Sequence, residues 1–422
     1  MNPLSKVFQL LNESASYAVL RNYESLPQKS GRDVDLIINR KDFKEIRARI
    51  VEIFATNRYY LFQYYKGSEM HSMVFVKADS YEFISFDFLF SIYIKNTILL
   101  TSEDVLRTKE FNGNIYHVRK DIEFLSKYMY NLLLKTPYPY KYKHIKDEAE
   151  AMFSNEINNI YLRVGFNPSS PSLFKVKFKG YQRHFFRSLG ALIRYSVYTI
   201  NNFFNHQGIT IGFSGPDGVG KTTVIEQIQT ICHTLYKEIP LFHFRPTFIG
   251  NLSEVVYSAG LKKEVDRDYS KPHRGSKTGV PSSFVRLAYY SVDYIIGYLL
   301  KTKHYLFKRN IVIFDRYYTD IICDSRRSRI YLDYKFIYWF GRLFIPSLNY
   351  NILLTASSET ILARKRELDE EGIRSINTKI DYLADKKEYK KILNESTPEV
   401  AGAEVLNYIF ENQHKKNIRR LK

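Results

Sequence analysis

Residues 215–222 read Gly-Pro-Asp-Gly-Val-Gly-Lys-Thr, and the apolar run Ile-Thr-Ile-Gly-Phe of residues 209–213 stands just before them. A strand, two spaced glycines, a lysine and a threonine at the start of a helix form the pattern of a phosphate-binding loop. The glycines let successive backbone N–H groups point inward, where they and the helix dipole hold a polyphosphate. The alternative is a glycine-rich strand-to-helix turn without a ligand. Because every part of the pattern is present, we predict a nucleoside triphosphate site.

The loop residues divide into a cradle for the phosphates and a metal ligand. We expect Lys221 to reach the β- and γ-phosphates and the hydroxyl of Thr222 to ligate Mg²⁺. ATP and Mg²⁺ are therefore the expected cofactors. The predicted nucleotide-binding residues are Gly215, Pro216, Asp217, Gly218, Val219, Gly220, Lys221, Thr222 and Thr223.

The composition is that of an ordinary folded protein with more than one domain. The chain has 422 residues, 45% of them hydrophobic and 25% charged, which is enough for two or three separate cores. Its two cysteines, Cys232 and Cys323, cannot form a disulfide framework. The first residues lack the apolar core of a signal peptide, and no apolar run reaches the roughly 20 residues of a membrane span. We therefore expect a cytoplasmic protein.

The net charge of +19 predicts an anionic partner, and the charge is unevenly distributed. No acidic residue occurs over residues 165–205, while six cationic side chains interleave there with apolar ones. The six are Lys175, Lys177, Lys179, Arg183, Arg187 and Arg194. The apolar spacing predicts a basic amphipathic helix over residues 173–204. It is either a linker helix packed on the following domain or a helix in peripheral contact with the inner face of a membrane or with another protein.

A turn-rich segment divides the chain. Residues 167–172 read Asn-Pro-Ser-Ser-Pro-Ser, which is typical of a linker. We predict an N-terminal domain with a helical companion over residues 1–165, a linker with the basic helix over 166–206 and a second domain over 207–422. The basic end, residues 414–422, is expected to be a frayed and solvated helix tail.

In the second domain, apolar runs alternate with helical patterns. This alternation predicts an α/β fold, in which a parallel sheet carries helices on both faces. The five predicted strands cover residues 209–213, 240–244, 310–314, 350–354 and 391–393. Because ligands of such sheets bind at the carboxyl ends of the strands, the site is expected there.

Polar side chains follow two of these strands. The second strand runs into His243-Phe-Arg245, and the third ends in Asp315-Arg316-Tyr. A carboxylate directly after a buried strand can hold Mg²⁺ and orient the attacking oxygen, and an arginine can clamp an acceptor anion with two hydrogen bonds. Alone, Asp-Arg-Tyr is equally consistent with a surface turn. Together with the loop, it indicates a metal ligand in Asp315 and acceptor-phosphate ligands in Arg245 and Arg316.

These features together resemble thymidylate kinase and its relatives among the nucleotide kinases, over roughly residues 208–412. The resemblance rests on residues 212–224, on Asp-Arg-Tyr at 315–317 and on an arginine-rich helix further along. It implies a core of five parallel strands, ATP with Mg²⁺ as phosphoryl donor, and a mobile lid whose arginines close over the phosphates. The implied lid residues are Arg364, Lys365, Arg366 and Arg374, for which a solvated basic helix face is the alternative. The implied catalytic residues are Lys221, Asp315, Arg316, Arg364 and Arg366.

The chain departs from the family pattern around the acceptor. Ser214 stands where the family carries Glu before the loop, and the segment after the second strand lacks the family's Glu after Arg245. In place of a Ser-rich stretch with a pyrimidine-reading Gln, the chain has Arg326, Arg327 and Arg329. These arginines suit an acceptor more anionic or bulkier than thymidine monophosphate, or they pair structurally with Asp320 and Asp324. We assign acceptor binding to Arg245, Arg316 and Arg326.

The N-terminal domain carries a second acidic pattern. Asp33 and Asp35 occupy alternate positions entering an apolar strand, and Asp87 stands in the later run Phe-Ile-Ser-Phe-Asp-Phe-Leu. Three such acids on adjacent strands can hold Mg²⁺ for attack on a nucleotide α-phosphate. Over roughly residues 17–134 the pattern resembles a nucleotidyltransferase, although Val-Leu-Arg-Asn at 19–22 replaces the family's Gly-Ser. A degenerate domain, or a turn whose acids are merely solvated, is the alternative.

The sequence thus predicts an ATP- and Mg²⁺-dependent phosphotransferase that acts on a nucleoside monophosphate or another small anionic acceptor. The alternative is a bifunctional nucleotidyltransferase and kinase acting on a sugar or glycan in surface-polysaccharide assembly. A non-enzymatic nucleic-acid-binding protein is disfavoured, because no recognition motif accompanies the positive charge. The partners considered are the small-molecule acceptor, a membrane surface and a second copy of the chain in a homodimer.

Overall fold

A computed structural model of the chain describes residues 2–31, 33–247 and 279–421. The chain folds into two compact units, of which the first comprises Met1–Asn205 with Phe410–Lys422 and the second His206–Ile409. The boundary between them falls at residues 205 and 206. The last residues are grouped with the first unit, although the sequence assigned them to the C-terminal domain.

The N-terminal unit contains nine described strands and seven helices before the last helix of the chain. The strands are β1 (Tyr17–Val19), β2 (Val34–Ile38), β3 (Tyr59–Lys66), β4 (Met70–Lys77), β5 (Phe83–Leu89), β6 (Ser91–Ile94), β7 (Thr97–Thr101), β8 (Glu110–Phe111) and β9 (Tyr116–His117). The helices are α1 (Pro3–Ser14), α2 (Arg40–Ala55), α3 (Ser102–Leu106), α4 (Lys120–Leu133), α5 (Lys143–Val164), α6 (Leu173–Arg183) and α7 (Phe185–Phe204).

Seven of these strands form one mixed sheet in the order β3-β4-β5-β2-β1-β9-β8, and β6 pairs separately with β7. Strand β5 buries Phe86 and Phe88 on one face, as its alternating pattern requires. Phe43 and Phe54 of α2 pack against this face, and Phe54 stacks on Phe75 at 3.9 Å between ring centroids. Each fully buried ring stabilises the fold by roughly 1.5–3 kcal/mol. An aromatic layer therefore joins α2 to the sheet.

The C-terminal unit contains five described strands. They are β10 (Ile209–Ser214), β11 (Leu241–His243), β12 (Ile311–Asp315), β13 (Tyr350–Thr355) and β14 (Tyr389–Leu393). The helices are α8 (Lys221–Cys232), α9 (Val280–Gly297), α10 (Lys303–Phe307), α11 (Tyr318–Cys323), α12 (Ser325–Ser328), α13 (Tyr334–Phe344), α14 (Ser358–Arg364), α15 (Glu370–Ala384) and α16 (Pro398–Leu421), the last of which continues into the N-terminal unit.

The five strands form one sheet in the order β11-β12-β10-β13-β14, and every pair of neighbours is parallel. The predicted α/β class with a five-stranded parallel sheet is confirmed, and each predicted strand overlaps an observed one. In the register of β10 with β12, Phe213 stands opposite Asp315. The carboxyl end of β12 therefore lies beside the start of the glycine-rich loop.

Burial explains why these segments fold as they do. All six residues of β10 are buried, as expected for a central strand covered on both faces. Helix α15 instead buries one stripe, formed by Ile373, Ile376, Ile380 and Leu383 at helical spacing. The sequence pattern thus distinguishes a two-sided strand from a one-sided helix.

Two predictions about helices require correction. The expected single helix over residues 173–204 is two helices, α6 and α7, which meet at His184 in a non-helical conformation. The C-terminal tail is not frayed, because α16 continues to Leu421 and packs on the N-terminal unit; Lys422 lies outside the described residues. There the backbone N–H of Leu61 donates to His414, and the Asn417 amide donates to the carbonyl of Phe62 at 2.8 Å.

Across residues 2–31, 33–247 and 279–421, none of the helices is long and apolar enough to span a lipid bilayer.

Candidate functional site

The loop between β10 and α8 has the backbone of a ligand cradle. Gly215 and Gly220 have φ angles of 156° and 91°, which side chains disfavour. A Cβ at Gly215 would collide with the carbonyl oxygen of Leu354, and one at Gly220 would stand 2.7 Å from the Asn394 amide nitrogen. Both positions therefore require glycine, so that the loop can pass close to β13 and to the segment after β14.

Lys221 begins α8 and is buried within the loop. Its ammonium donates to the carbonyls of Gly215 and Pro216 at 3.0 and 2.9 Å. Burial, and then the nearby charge of Arg316, lower the pKa of Lys221 to about 8, although Asp217 and other carboxylates oppose the shift. The loop thus holds a cation next to the backbone amides, as a polyphosphate site requires. Thr222 and Thr223 follow in the first turn and are exposed.

Asp315 ends β12 and has the properties of a metal ligand. Its Oδ2 lies 3.1 Å from Nδ1 of His243, which ends the neighbouring strand β11. Its Oδ1 is buried and accepts no hydrogen bond from any described residue. A buried carboxylate oxygen without a donor is the kind of hard ligand that Mg²⁺ prefers, so the residues present fit this ion.

Arg316 is the centre of a buried ionic network. It has a φ angle of +71°, and its guanidinium contacts Asp320 at 2.9 Å and also Asp217 of the loop. Burial lowers the pKa of Arg316, but Asp320, Asp217 and Asp315 outweigh burial, and the net shift is upward. Burial also raises the pKa of Asp320, against the opposing charge of Arg316. The network holds the Arg316 guanidinium in place at the strand ends.

The arginines after α11 separate into two environments. Arg327 contacts the second carboxylate oxygen of Asp217 and lies 3.5 Å from Asp324. Arg326, the predicted acceptor ligand, instead lies 3.5 Å from Asp369, and both of these side chains are largely exposed. The structure therefore brings Arg327 to the loop, while Arg326 lies elsewhere. Structural pairing of these arginines with Asp320 and Asp324 was the alternative interpretation of the sequence, and Arg327 does pair with Asp324.

Arg245 is held by α9 rather than by the loop. Its Nε lies 3.1 Å from Asp293, which is fully buried, and its guanidinium lies over the ring of Tyr290 at 4.5 Å. Tyr294 of the same helix donates to the carbonyl of Phe244 at 2.9 Å. Helix α9 therefore fixes the segment after β11, including this arginine.

The four predicted lid residues lie in different environments. Arg364 ends α14 and donates to the carbonyls of Asn394 and Ser396, both at 3.0 Å. A Cβ at Gly218 would stand 3.0 Å from Cβ of Lys365, so the end of α14 touches the loop. Arg366 is exposed, and Arg374 pairs with Glu370 one turn earlier at 2.5 Å.

One residue of this site was not singled out from the sequence. Asn394 directly follows β14, is fully buried, and donates through its side chain to the carbonyl of Val219 at 2.8 Å. Its backbone N–H donates to Thr355 of β13. Asn394 therefore links the loop to two strand ends. Its place directly after the fifth apolar run is a signal that could have indicated it.

In the N-terminal unit, the strand register brings two of the three predicted acids together. Asp35 of β2 stands opposite Asp87 of β5, and Asp33 is exposed just before β2. Arg21 lies 2.6 Å from Asp35, in the segment where the resembled family has Gly-Ser. Burial raises the pKa of Asp35 to about 6, although Arg21 opposes the shift.

One of the three predicted metal-binding acids, Asp35, is paired with an arginine. Among the residues that the structure describes, no group of three or more His, Cys, Asp or Glu side chains is arranged to hold a metal ion. Arg21 instead forms an ion pair with Asp35 at 2.6 Å. The metal site proposed for Asp33, Asp35 and Asp87 therefore stays a hypothesis without support from the geometry.

The comparisons with known proteins are sparse. No protein-family model matches the chain, and no curated protein matches it. Among solved structures, a thymidylate kinase from Ehrlichia chaffeensis is similar, at 18% sequence identity and a TM-score of 0.34. This similarity covers 48% of the chain and 98% of that kinase.

The C-terminal unit combines a parallel sheet with a glycine-rich loop at one of its edges. A glycine-rich loop joins the central strand of an all-parallel sheet to a helix, and an aspartate ends the adjacent strand. This unit has a P-loop kinase-like fold. The N-terminal unit is a separate sheet domain.

Proposed function

We infer that the C-terminal unit is an ATP- and Mg²⁺-dependent phosphotransferase of the thymidylate kinase-like type. One observation carries this proposal: buried Lys221 in its loop of backbone amides lies in the same charged network as Arg316 and Asp315 of the adjacent strand. A donor cradle, a carboxylate and an acceptor cation thus meet at one edge of the sheet. In phosphoryl transfer, catalysis consists mainly of positioning and of charge stabilisation by such groups.

On the donor side, Lys221 and the loop amides hold the β- and γ-phosphates of ATP. Lys221 then exchanges its bonds to the Gly215 and Pro216 carbonyls for phosphate oxygens. Asp315 and Thr222 would hold Mg²⁺, which when bound offsets the charge of the transferred phosphoryl group. His243 orients Asp315 through its contact with Oδ2.

On the acceptor side, we assign the anion contact to Arg316 and Arg327. Both guanidiniums already converge on the two oxygens of one carboxylate, that of Asp217. An acceptor phosphate offers the same fork of oxygens and more charge, so it can compete for these donors. Arg245 is already paired with buried Asp293, so we propose that it supports the acceptor site without being its main anion ligand.

The reaction that follows is an in-line transfer. An acceptor oxygen forms a bond to the γ-phosphorus, and the bond from that phosphorus to the bridging β–γ oxygen breaks, leaving ADP. Arg364, Arg366 and Arg374 belong to the segment that we propose closes over the phosphates. Of these, Arg366 has the exposure that a mobile contact would need, whereas Arg364 is tied to the carbonyls after β14.

Replacing the loop lysine tests the proposal. We expect Lys221→Ala to lower ATP-dependent formation of phosphorylated product by about 10²-fold or more, because a buried cation at the transferred group is lost. Lys237→Ala is the matched control, since Lys237 is exposed in the same unit. The assay offers nucleoside monophosphates, sugars and glycans with ATP and Mg²⁺ and detects an added phosphate by mass. If no acceptor gains a phosphate, or if both variants behave alike, the proposal fails.

Nucleotidyl transfer or sugar-phosphate chemistry in the N-terminal unit remains the second hypothesis. The juxtaposition of Asp35 and Asp87 favours it, and the ion pair of Asp35 with Arg21 opposes it. The test uses the full chain carrying Lys221→Ala. Mg²⁺-dependent turnover that persists there and is lost on adding Asp35→Asn would support this hypothesis, whereas the absence of residual turnover would exclude it.

A further inference from the structure

Helix α7 turns a polar face inward and an apolar face outward, which is the reverse of an ordinary surface helix. Its inward side carries polar contacts: Arg194 donates to buried Glu69 at 2.8 Å, and the hydroxyl of Tyr198 accepts from Tyr65 at 2.6 Å. Asn202 is also buried on this side. A helix that packs through ion pairs and hydroxyl groups leaves its apolar residues on the outer side, which is the reverse of the usual pattern.

The outer side of α7 carries an apolar stripe. Its five members are 54% to 85% exposed. They are Phe186, Ile193, Val197, Ile200 and Phe204. At 3.6 residues per turn, these positions fall within an arc of about 60° along the whole helix. Single exposed apolar side chains are common, but an aligned set of this length marks a contact surface.

Cationic side chains flank this stripe. Arg187 follows a stripe residue by one position, which places it on a flank of the stripe, about 100° round the helix. Arg194 lies on the same flank, but its charge is paired with buried Glu69 at 2.5 Å. A cavity of about 440 Å³ within the N-terminal unit is lined by cations (Arg40, Lys41, Arg187 and Arg194) and also by acids (Asp42, Glu69 and Glu103). Helix α6 adds Phe174 and Phe178, whose rings stack, together with three lysines. No acidic residue occurs anywhere over residues 165–205.

The charge pattern selects among the possible occupants of this surface. A second copy of the chain would bring one cationic flank against another, which is unfavourable. A nucleic acid would satisfy the cations but would leave the phenylalanines and isoleucines in water. An anionic bilayer satisfies both features, because its phosphates meet the cations and its acyl boundary takes the apolar stripe.

We propose that α6 and α7 form a surface that lies on anionic lipid bilayers, with the α7 stripe entering the acyl boundary and with Arg187 and the α6 lysines meeting headgroup phosphates. This contact is peripheral and independent of phosphoryl transfer in the C-terminal unit. It would place the protein where a membrane-bound acceptor is presented.

Vesicle co-sedimentation of the full chain tests this proposal. We expect binding to phosphatidylcholine vesicles that contain phosphatidylglycerol, weaker binding to phosphatidylcholine alone, and release by salt. Ile193→Glu should lower the partition coefficient roughly tenfold, since it puts a charge into the apolar stripe. Leu162→Glu on α5 is the matched control, because Leu162 is equally apolar and exposed on a helix of the same unit. Its partitioning should equal that of the parent chain.

Further measurements keep the test decisive. Circular dichroism checks that Ile193→Glu remains folded, and Phe186→Ser provides a second, milder stripe variant that should also weaken binding. Arg187→Gln should weaken binding to the anionic vesicles only. Equal binding to both vesicle types, or no loss with either stripe variant, overturns the proposal. A dimer that the stripe variants convert to a monomer in light scattering also overturns it, because a second copy would then be the occupant.

Discussion

At the scale of single residues, Lys221 shows how the loop is prepared for an anion. It is buried, its ammonium is held by two loop carbonyls, and burial lowers its pKa to about 8. The protonated form is therefore less favoured for Lys221 than for an exposed lysine. A bound polyphosphate stabilises the protonated form and raises the pKa again, so ATP binding and protonation of Lys221 are coupled.

This coupling predicts a pH dependence for ATP binding. Below about pH 8, Lys221 is protonated in the free protein and affinity is constant. Above that pH each molecule must take up a proton to bind, and the affinity falls by up to about tenfold per pH unit. Titration calorimetry between neutral and mildly alkaline pH measures this. Lys221→Met should bind weakly and without that slope, and an unchanged slope in this variant would contradict the account.

Arg326 and Arg327 are adjacent in sequence but differ in environment, and this gives a matched pair of variants. Arg327 reaches Asp217 of the loop, whereas Arg326 lies near exposed Asp369. We expect Arg327→Ala to raise the KM for the acceptor by about ten- to a hundredfold, the effect of losing a charged hydrogen bond. Arg326→Ala should change it less than about twofold, as for a surface ion pair. Steady-state kinetics decide this. If the KM of Arg327→Ala changes as little as that of Arg326→Ala, Arg327 does not contact the acceptor.

At the scale of helices and strands, some features are readable from sequence and others are not. Strands β10 and β12 were predictable, because short runs of Ile, Val and Phe bounded by turns and helices favour buried parallel strands. The loop was predictable because its chemistry is local. The outward orientation of the α7 stripe was not, since periodicity shows which residues share a face but not which face meets the core.

Contacts between distant elements were also beyond the sequence. Asn394 reaches Val219, 175 residues earlier, only because β14 and the loop meet at the same edge of the sheet. Arg21 meets Asp35 through the pairing of β1 with β2. Such pairs depend on the sheet register, which single-residue patterns do not encode. The sequence therefore predicted which residues lie at the strand ends, whereas the contacts among them could be seen only in the structure.

The contact of Asn394 with the loop predicts a link between the sheet and nucleotide binding. Asn394→Ala removes a buried donor and leaves the Val219 carbonyl without it, which should cost about 1–3 kcal/mol of unfolding free energy. ATP affinity should fall as well, because the loop loses the hydrogen bond that holds Val219 in position. Asn351→Ala is the control, because the Asn351 side chain makes a solvent-exposed hydrogen bond to Glu388. Denaturant unfolding and ATP titration measure both effects, and two variants of equal stability and affinity would refute the role of Asn394.

At the scale of the whole molecule, the last helix belongs to both units. Residues 398–409 of α16 are grouped with the C-terminal unit, and Phe410 onward with the N-terminal one. Phe410 is fully buried and meets Phe62 edge to face at 5.2 Å. The C-terminal residues are therefore a structural part of the N-terminal unit. The sequence suggested a solvated tail, because its basic residues hide the buried positions between them.

This arrangement predicts that the C-terminal end stabilises the N-terminal unit. Phe410→Ala leaves a cavity in that unit and should cost about 3–5 kcal/mol of unfolding free energy. Phe111→Ala is the control, because Phe111 is a half-exposed phenylalanine of the same unit, and it should cost far less. Denaturant unfolding followed by intrinsic fluorescence compares them. Equal midpoints for the two variants would show that residues 410–421 do not support the N-terminal core.

The central claim is that the C-terminal unit moves the γ-phosphoryl group of ATP to an acceptor. Its most direct test follows ATP labelled separately at the α- and γ-phosphorus, with Mg²⁺ and the acceptor panel. We predict that the γ-label appears on the acceptor while the α-label appears in ADP, and that Lys221→Ala slows both by about 10²-fold or more. Transfer of the α-label, or release of the γ-label as inorganic phosphate whether or not an acceptor is present, would contradict the account.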